Sequence, residues 1–160
     1  MYKTFTSKSS PRRPAPEPGI GRPLIGALLR FPREAVVQRM LEALNEHGHD
    51  ITPAELAVMT YPGPDGKRPS ELARACATSR QSMNYLLSGL EARGYLRRAD
   101  GDQGLARVIQ LTERGRAAGK LMRKTVAEIE REWSGFLGKD RFDALSGTLL
   151  ELSRWLGKVP

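Results

Sequence analysis

The sequence predicts a mainly α-helical chain with one small β-hairpin, and three observations carry that expectation. Apolar residues recur at intervals of three and four over most of the chain, the period of a helix face. Only Tyr95-Leu96-Arg97-Arg98 and Val108-Ile109-Gln110-Leu111 read as strands, and they flank the Gly-rich tip Asp100-Gly101-Asp102-Gln103-Gly104. Capping signals stand where helices should open: Thr52-Pro53-Ala54-Glu55, Ser70, Ser79 and Thr112. At 160 residues, 39% of them apolar, the chain is long enough to bury one sizeable core.

Residues 1–21 are rich in Ser, Pro, Lys and Arg and poor in apolar groups, so they read as a disordered basic arm. Residues 22–50 follow with helical spacing: Ile25, Leu28 and Leu29, then Val36, Val37, Met40, Leu41 and Leu44. Pro32 should divide this stretch into two helices, sitting in the first turn of the second. Gly48 serves as its stop. The capping box at Thr52 opens a short helix to about Thr60, and Tyr61-Pro62-Gly63-Pro64-Asp65-Gly66 is a loop.

Ser70 is placed to cap a helix through Cys76, with Leu72, Ala73 and Cys76 facing inward. Ala77-Thr78 then turns tightly, and Ser79 caps a helix to about Arg93. Met83, Leu86, Leu87 and Leu90 lie on one face of that helix; Gln81, Asn84, Tyr85 and Ser88 lie on the other, flanked by Arg80 and Ser82. Two short helices joined by a tight turn, the second showing polar and aromatic side chains near its N-terminus, make a helix-turn-helix. A hairpin directly after it is a wing. The combination, over residues 51–111, is a winged helix-turn-helix.

Residues 112–160 carry two long amphipathic stripes. Ala118, Met122, Val126, Ile129, Trp133 and Phe136 mark one helix; after Gly138-Lys139-Asp140, Phe142, Leu145, Leu149, Leu152 and Leu156 mark another. Both ends of the chain hold more apolar stripe than one small domain needs, which predicts a homodimer joined through residues 22–50 and 112–160. Leu28, Ile129, Trp133, Leu145, Leu149, Leu152 and Leu156 are the candidate contacts.

Charge narrows the partner. The chain has 26 Lys and Arg against 18 Asp and Glu, a net of +8. Residues 61–111 hold eight basic residues, seven of them Arg. That favours an anionic partner, and Arg suits phosphate forks and base edges. The single Cys excludes an internal disulfide and a multi-cysteine metal site. No apolar run is long enough to span a bilayer, and Arg12, Arg13 and several prolines interrupt the N-terminus where a secretion signal would need an apolar core, so a cytoplasmic location is expected. No phosphate loop, nucleophile elbow or paired-carboxylate motif is present, so neither an enzyme nor a cofactor is expected.

The chain resembles the MarR family of bacterial transcriptional regulators from about Arg22 to Leu156. The resemblance rests on Arg68-Pro69-Ser70-Glu71-Leu72-Ala73, Ser79-Arg80-Gln81-Ser82-Met83-Asn84, Leu90-Glu91-Ala92-Arg93-Gly94-Tyr95-Leu96 and Leu111-Thr112-Glu113-Arg114-Gly115. It implies a two-fold dimer with interlocked terminal helices, repression of transcription, and release from DNA by a small aromatic ligand. The family wing usually carries an Asp two residues before an Arg that enters the minor groove. Those positions are Gln103 and Leu105 here, while Arg107 remains.

On this reading the partner is double-stranded DNA with a pseudo-palindromic operator. Ser79 and Arg80 anchor the recognition helix on phosphate; Gln81, Ser82, Asn84 and Tyr85 face base edges; Arg97, Arg98 and Arg107 place the wing. A winged helix that binds protein, or a regulator with little intrinsic DNA binding, is the alternative. His47-Gly48-His49-Asp50 reads as a polar turn rather than a metal site. Cys76 reads as a packed thiol rather than a redox sensor.

Overall fold

A computed structural model describes residues 21, 23–60, 63–100 and 107–157, with only the backbone at Asp100. The basic arm (1–20), Gln103 and Leu105 lie outside the described residues. Among the described residues six helices and two strands follow in the order α1 (Ile25–Glu46), α2 (Pro53–Met59), α3 (Pro69–Ala75), α4 (Arg80–Ala92), β1 (Leu96–Asp100), β2 (Arg107–Leu111), α5 (Glu113–Leu137) and α6 (Lys139–Trp155).

The expected break at Pro32 does not occur: α1 runs through it as one helix. Proline removes the hydrogen bond that would close on the Leu28 carbonyl. That turn is exposed, so water can serve the oxygen, and the half of α1 beyond it is fixed by burying Met40 and Leu44. Helix α2 opens on the expected capping box: the Glu55 amide donates to Thr52 Oγ1 at 3.3 Å and the Thr52 amide to Glu55 Oε2 at 3.0 Å. Helix α3 starts before Ser70, with Arg68 at the cap and Pro69 at the first helical position. The Arg68 amide donates to Glu71 Oε2 at 2.7 Å, a bond that Ser70 as cap would not have allowed.

Between α3 and α4 the chain turns at Ala77, whose φ of +49° is uncommon without glycine. Ser79 then caps α4, accepting from the Ser82 amide at 3.0 Å. Met83, Leu87 and Leu90 of α4 are fully buried against a core built also from Met40, Leu44, Leu56, Leu72, Tyr95, Leu96, Ile109 and Met122.

Strands β1 and β2 are antiparallel, with Leu96 opposite Leu111, Arg97 opposite Gln110 and Arg98 opposite Ile109. Side chains alternate, so Leu96, Arg98 and Ile109 share the face toward the core and Arg97 points away. The segment before α3 joins this ladder. The Gly66 amide donates to the Ile109 carbonyl at 2.7 Å, and the Ile109 amide to the Lys67 carbonyl at 2.9 Å.

Helix α5 packs along α1 and buries Ala118, Met122 and Ile129. A bidentate pair, Arg39 Nη1 to Glu132 at 2.6 Å and Nη2 at 2.9 Å, ties the two helices at the surface. Helix α6 differs: none of its residues is buried.

Candidate nucleic-acid interface

Ser79, Arg80, Gln81, Ser82, Asn84 and Tyr85 are all exposed on the first turns of α4. The fold thus places the six helix residues of the predicted set on one exposed surface. Ser79 has a second bond, donating from Oγ to Ser82 Oγ at 2.9 Å, so both serines are tied to the cap. Tyr85 is 81% exposed, an unusual setting for so large an apolar ring.

The hairpin arginines divide. Arg97 and Arg107 are exposed. Arg98 is half-buried and engaged: its Nε lies 3.3 Å from Glu91 and its Nη2 3.4 Å from Ser88 Oγ. It braces the hairpin on α4 instead of projecting from it, because its position in the strand alternation faces α4.

A polar cluster fixes the hairpin and α4 to the helical scaffold. Arg93 pairs with the buried Glu55 carboxylate and reaches the Asp50 carbonyl. The Tyr95 hydroxyl donates to Asp50 Oδ1 at 2.9 Å and accepts from the Asp50 amide at 3.1 Å. That hydroxyl, helped by Arg93 and Arg114, holds the Asp50 carboxyl below its usual range. The Arg114 guanidinium stacks 4.5 Å from the Tyr95 ring centre and donates to the Arg93 carbonyl at 3.0 Å. Thr112 caps α5 and donates to the Gly94 carbonyl at 2.6 Å. The Arg93-Gly94-Tyr95 and Thr112-Glu113-Arg114-Gly115 stretches are therefore two halves of one joint.

His47 Nδ1 lies 2.8 Å from the Ala43 carbonyl, and the His49 ring packs 5.7 Å from that of Tyr95. Among the described residues no group of three His, Cys, Asp or Glu side chains could hold a metal ion. Cys76 is half-buried with Sγ 3.8 Å from the Ala57 carbonyl, and burial pushes its thiol pKa up.

A feature that sequence reasoning missed is a cavity of about 500 Å³ between α1, the end of α2 and α5. Met40, Met59, Met122 and Val126 supply apolar walls, Thr60 and Gly63 the rim, and Arg123 and Glu130 the charges. Arg123 has no carboxylate within ion-pair distance among the described residues. The three methionines come from three separate helices, so no spacing in the sequence signals their convergence.

The candidate dimer contacts also divide. Leu28, Leu145, Leu149, Leu152 and Leu156 are between 38% and 54% exposed. Ile129 is 1% exposed, so it belongs to the chain's own core and not to a free surface. Trp133 is half-buried. None of the described helices is long and apolar enough to cross a membrane.

Comparison with known proteins follows the same lines. A MarR family model matches residues 60–104. Among solved structures, the transcriptional regulator PA4135 is 27% identical, covering 83% of this chain and 98% of its own, with a TM-score of 0.63. A MarR family protein of Mycobacterium tuberculosis in complex with p-aminosalicylic acid is 24% identical over 82% of this chain and 99% of its own, at a TM-score of 0.58. FabT of Streptococcus pneumoniae, in complex with DNA, is 18% identical over 84% and 96%, at a TM-score of 0.65. No curated protein matches in sequence. With its winged helix-turn-helix set between long terminal helices, and with the motif residues forming one joint, the chain is similar in fold to these regulators, and its residues 60–104 match the MarR family model.

Proposed function

We propose that the chain is a homodimeric, sequence-specific DNA-binding regulator of transcription: a cytoplasmic repressor that acts by binding, without catalysis. The observation that carries this reading is the exposed row Ser79, Arg80, Gln81, Ser82, Asn84 and Tyr85 at the start of α4. Carboxamides at Gln81 and Asn84 suit adenine edges, and Tyr85 offers a ring to a thymine methyl. Ser79 and Arg80 sit where the helix dipole favours phosphate. Residues 51–111 form the reading lobe, with Arg97 and Arg107 on the wing.

Residues 22–50 and 112–160 hold the dimer together. Leu145, Leu149 and Leu152 of α6 remain 38–45% exposed, and a second copy would cover that stripe. The cavity beside α5 is the effector site. Its methionine walls admit a flat apolar ligand, and Arg123 offers a charge-assisted bond to an anionic group. The p-aminosalicylic acid bound to the Mycobacterium tuberculosis protein is a ligand of that class.

Selection of bound sequences from a random duplex pool tests the reading. An inverted repeat should emerge, and affinity should fall steeply and linearly with log salt. Absence of enrichment together with salt-insensitive binding would overturn it in favour of a protein-binding winged helix.

A further inference from the structure

The cavity and the hairpin are joined by a five-residue strap, residues 63–67. Gly63 lies on the cavity rim. Its amide donates to the Thr60 carbonyl at 2.5 Å, and Thr60 is a rim residue too. At the far end three hydrogen bonds hold the strap to β2. Two are the main-chain bonds of Gly66 and Lys67 with Ile109, at 2.7 and 2.9 Å. The third runs from the Leu111 amide to Asp65 Oδ1 at 2.7 Å.

Between its ends the strap is pinned at Pro64. Gly63 and Gly66 are both left-handed, at φ of +77° and +71°. Pro64 between them has a locked φ and a fully buried ring. A five-residue segment pinned by a buried proline and bonded at both ends passes a displacement on. The wing strand thus has a direct mechanical link to the cavity, separate from the α1–α5 packing.

We propose that this strap carries cavity occupancy to the wing: a molecule seated between Met59 and Met122 displaces Thr60 and Gly63, and the strap moves β2 with them. The inference rests on reading the cavity as the effector site, and the test separates the two. Gly119 and Ala127 both line the cavity. A Cβ at Gly119 would meet only Arg123 Nη1, at 3.5 Å, and Ala127 is exposed, so Gly119→Leu and Ala127→Phe fill the space without a ligand.

Amide hydrogen exchange on the full chain is the readout. Both filled variants should exchange about tenfold faster at Gly66, Ile109 and Leu111 than the parent, with the Leu90 amide of α4 unchanged. Adding Asp65→Ala, which frees one end of the strap, should shrink the loss of operator affinity that cavity filling causes. Parent-like exchange at all three amides in both filled variants would overturn the strap mechanism. p-Aminosalicylate added to the parent should shift the methyl resonances of Met40, Met59 and Met122. If those resonances stay put while the filled variants respond, the effector reading fails for that class of ligand and the strap stands.

Discussion

Gly115 lies directly against the Tyr95 carbonyl: a Cβ at residue 115 would stand 1.9 Å from that oxygen. Closeness here has a purpose. The Tyr95 carbonyl accepts from the Thr112 amide at 3.1 Å, and Thr112 Oγ1 accepts from the Gly115 amide at 3.1 Å, so the first turn of α5 is clamped to the start of the hairpin. Gly115→Ala must push backbone apart, since the obstacle is a main-chain atom and no side chain can swing away. The expected loss is at least about 2 kcal/mol of unfolding free energy, measured by urea titration. A loss below about 0.5 kcal/mol, as for an ordinary surface change, would show that α5 can slide off Tyr95 at little cost.

The same joint should respond to mild acid. His49 Nδ1 is buried with no hydrogen-bond partner among the described residues. Burial, then the nearby Arg114 and His47 charges, lower its pKa from the usual 6.5, while Asp50 partly opposes them. The unfolded chain therefore takes up this proton first as pH falls. Stability from His49 is whole above pH 6.5 and is lost as pH falls through the depressed folded value. Urea midpoints taken between about pH 7.5 and pH 5 should decline, and His49→Phe, which keeps a ring on Tyr95, should flatten that decline. Carboxylates such as Asp50 titrate lower and do not mask it. Identical pH slopes in parent and variant would remove His49 from the account.

Three of the four expected helix caps were readable in the sequence, and the reasons are local; Ser70 was not, because Pro69 takes the first helical position and moves the cap to Arg68. Thr52, Ser79 and Thr112 each cap the helix that their spacing foretells, because a cap depends on residues three positions apart. Features set by tertiary contact were not readable. Pro32 stays inside a helix because packing beyond it outweighs one lost bond. Ala77 takes a left-handed conformation because α3 and α4 must both face the core. Asp65 looks like a turn residue among prolines and glycines, yet its carboxylate serves the Leu111 amide 46 positions away. The cavity joins residues from three helices, and no periodicity encodes that. On the hairpin, Arg97 and Arg98 are adjacent and chemically identical; only strand alternation separates them.

On the recognition helix, Gln81→Ala and Asn84→Ala should each cost about 1–3 kcal/mol on the best selected site and relax preference at one base pair. Arg80→Ala should weaken all duplexes nearly evenly, as a phosphate contact does. Competition binding against single-base site variants distinguishes the two patterns. If the carboxamide variants leave the preference unchanged, α4 does not read bases.

Dimerisation has its own test. A stable interface of this kind should bury about 2,000 Å² or more. Leu149→Glu with Leu152→Glu places two charges in the α6 stripe and should shift sedimentation from dimer to monomer, with DNA binding lost in parallel. Because no residue of α6 is buried within its own chain, the monomer should keep its helical circular dichroism. A parent that sediments as a monomer at micromolar concentration would contradict the assembly outright.

The two adjacent arginines of β1 give the sharpest comparison. Arg97 is exposed, opposite Gln110 on the face turned from the core, whereas Arg98 is held by Glu91 and Ser88 of α4. If the wing follows the DNA backbone, Arg97 is the one of this pair free to displace a counterion. Each phosphate neutralised contributes about 0.9 to the steepness of log K against log salt, so two wings make roughly 1.8 per dimer. Arg97→Ala should flatten the slope by up to that amount. Arg98→Ala should leave the slope nearly unchanged and instead loosen the hairpin on α4, read as faster amide exchange at Arg98, whose amide is 3.2 Å from Glu91 Oε1. Arg107 lies on the Arg98 face of the ladder, opposite Asp100, but is exposed at the start of β2, so Arg107→Ala reports on that face without disturbing the Glu91 contact and should leave the slope nearly unchanged. The reverse pattern, a flattened slope for Arg98→Ala and none for Arg97→Ala, would mean that the hairpin meets DNA with its other face. Arg98 would then have to leave Glu91 on binding, and Glu91→Gln should tighten the complex.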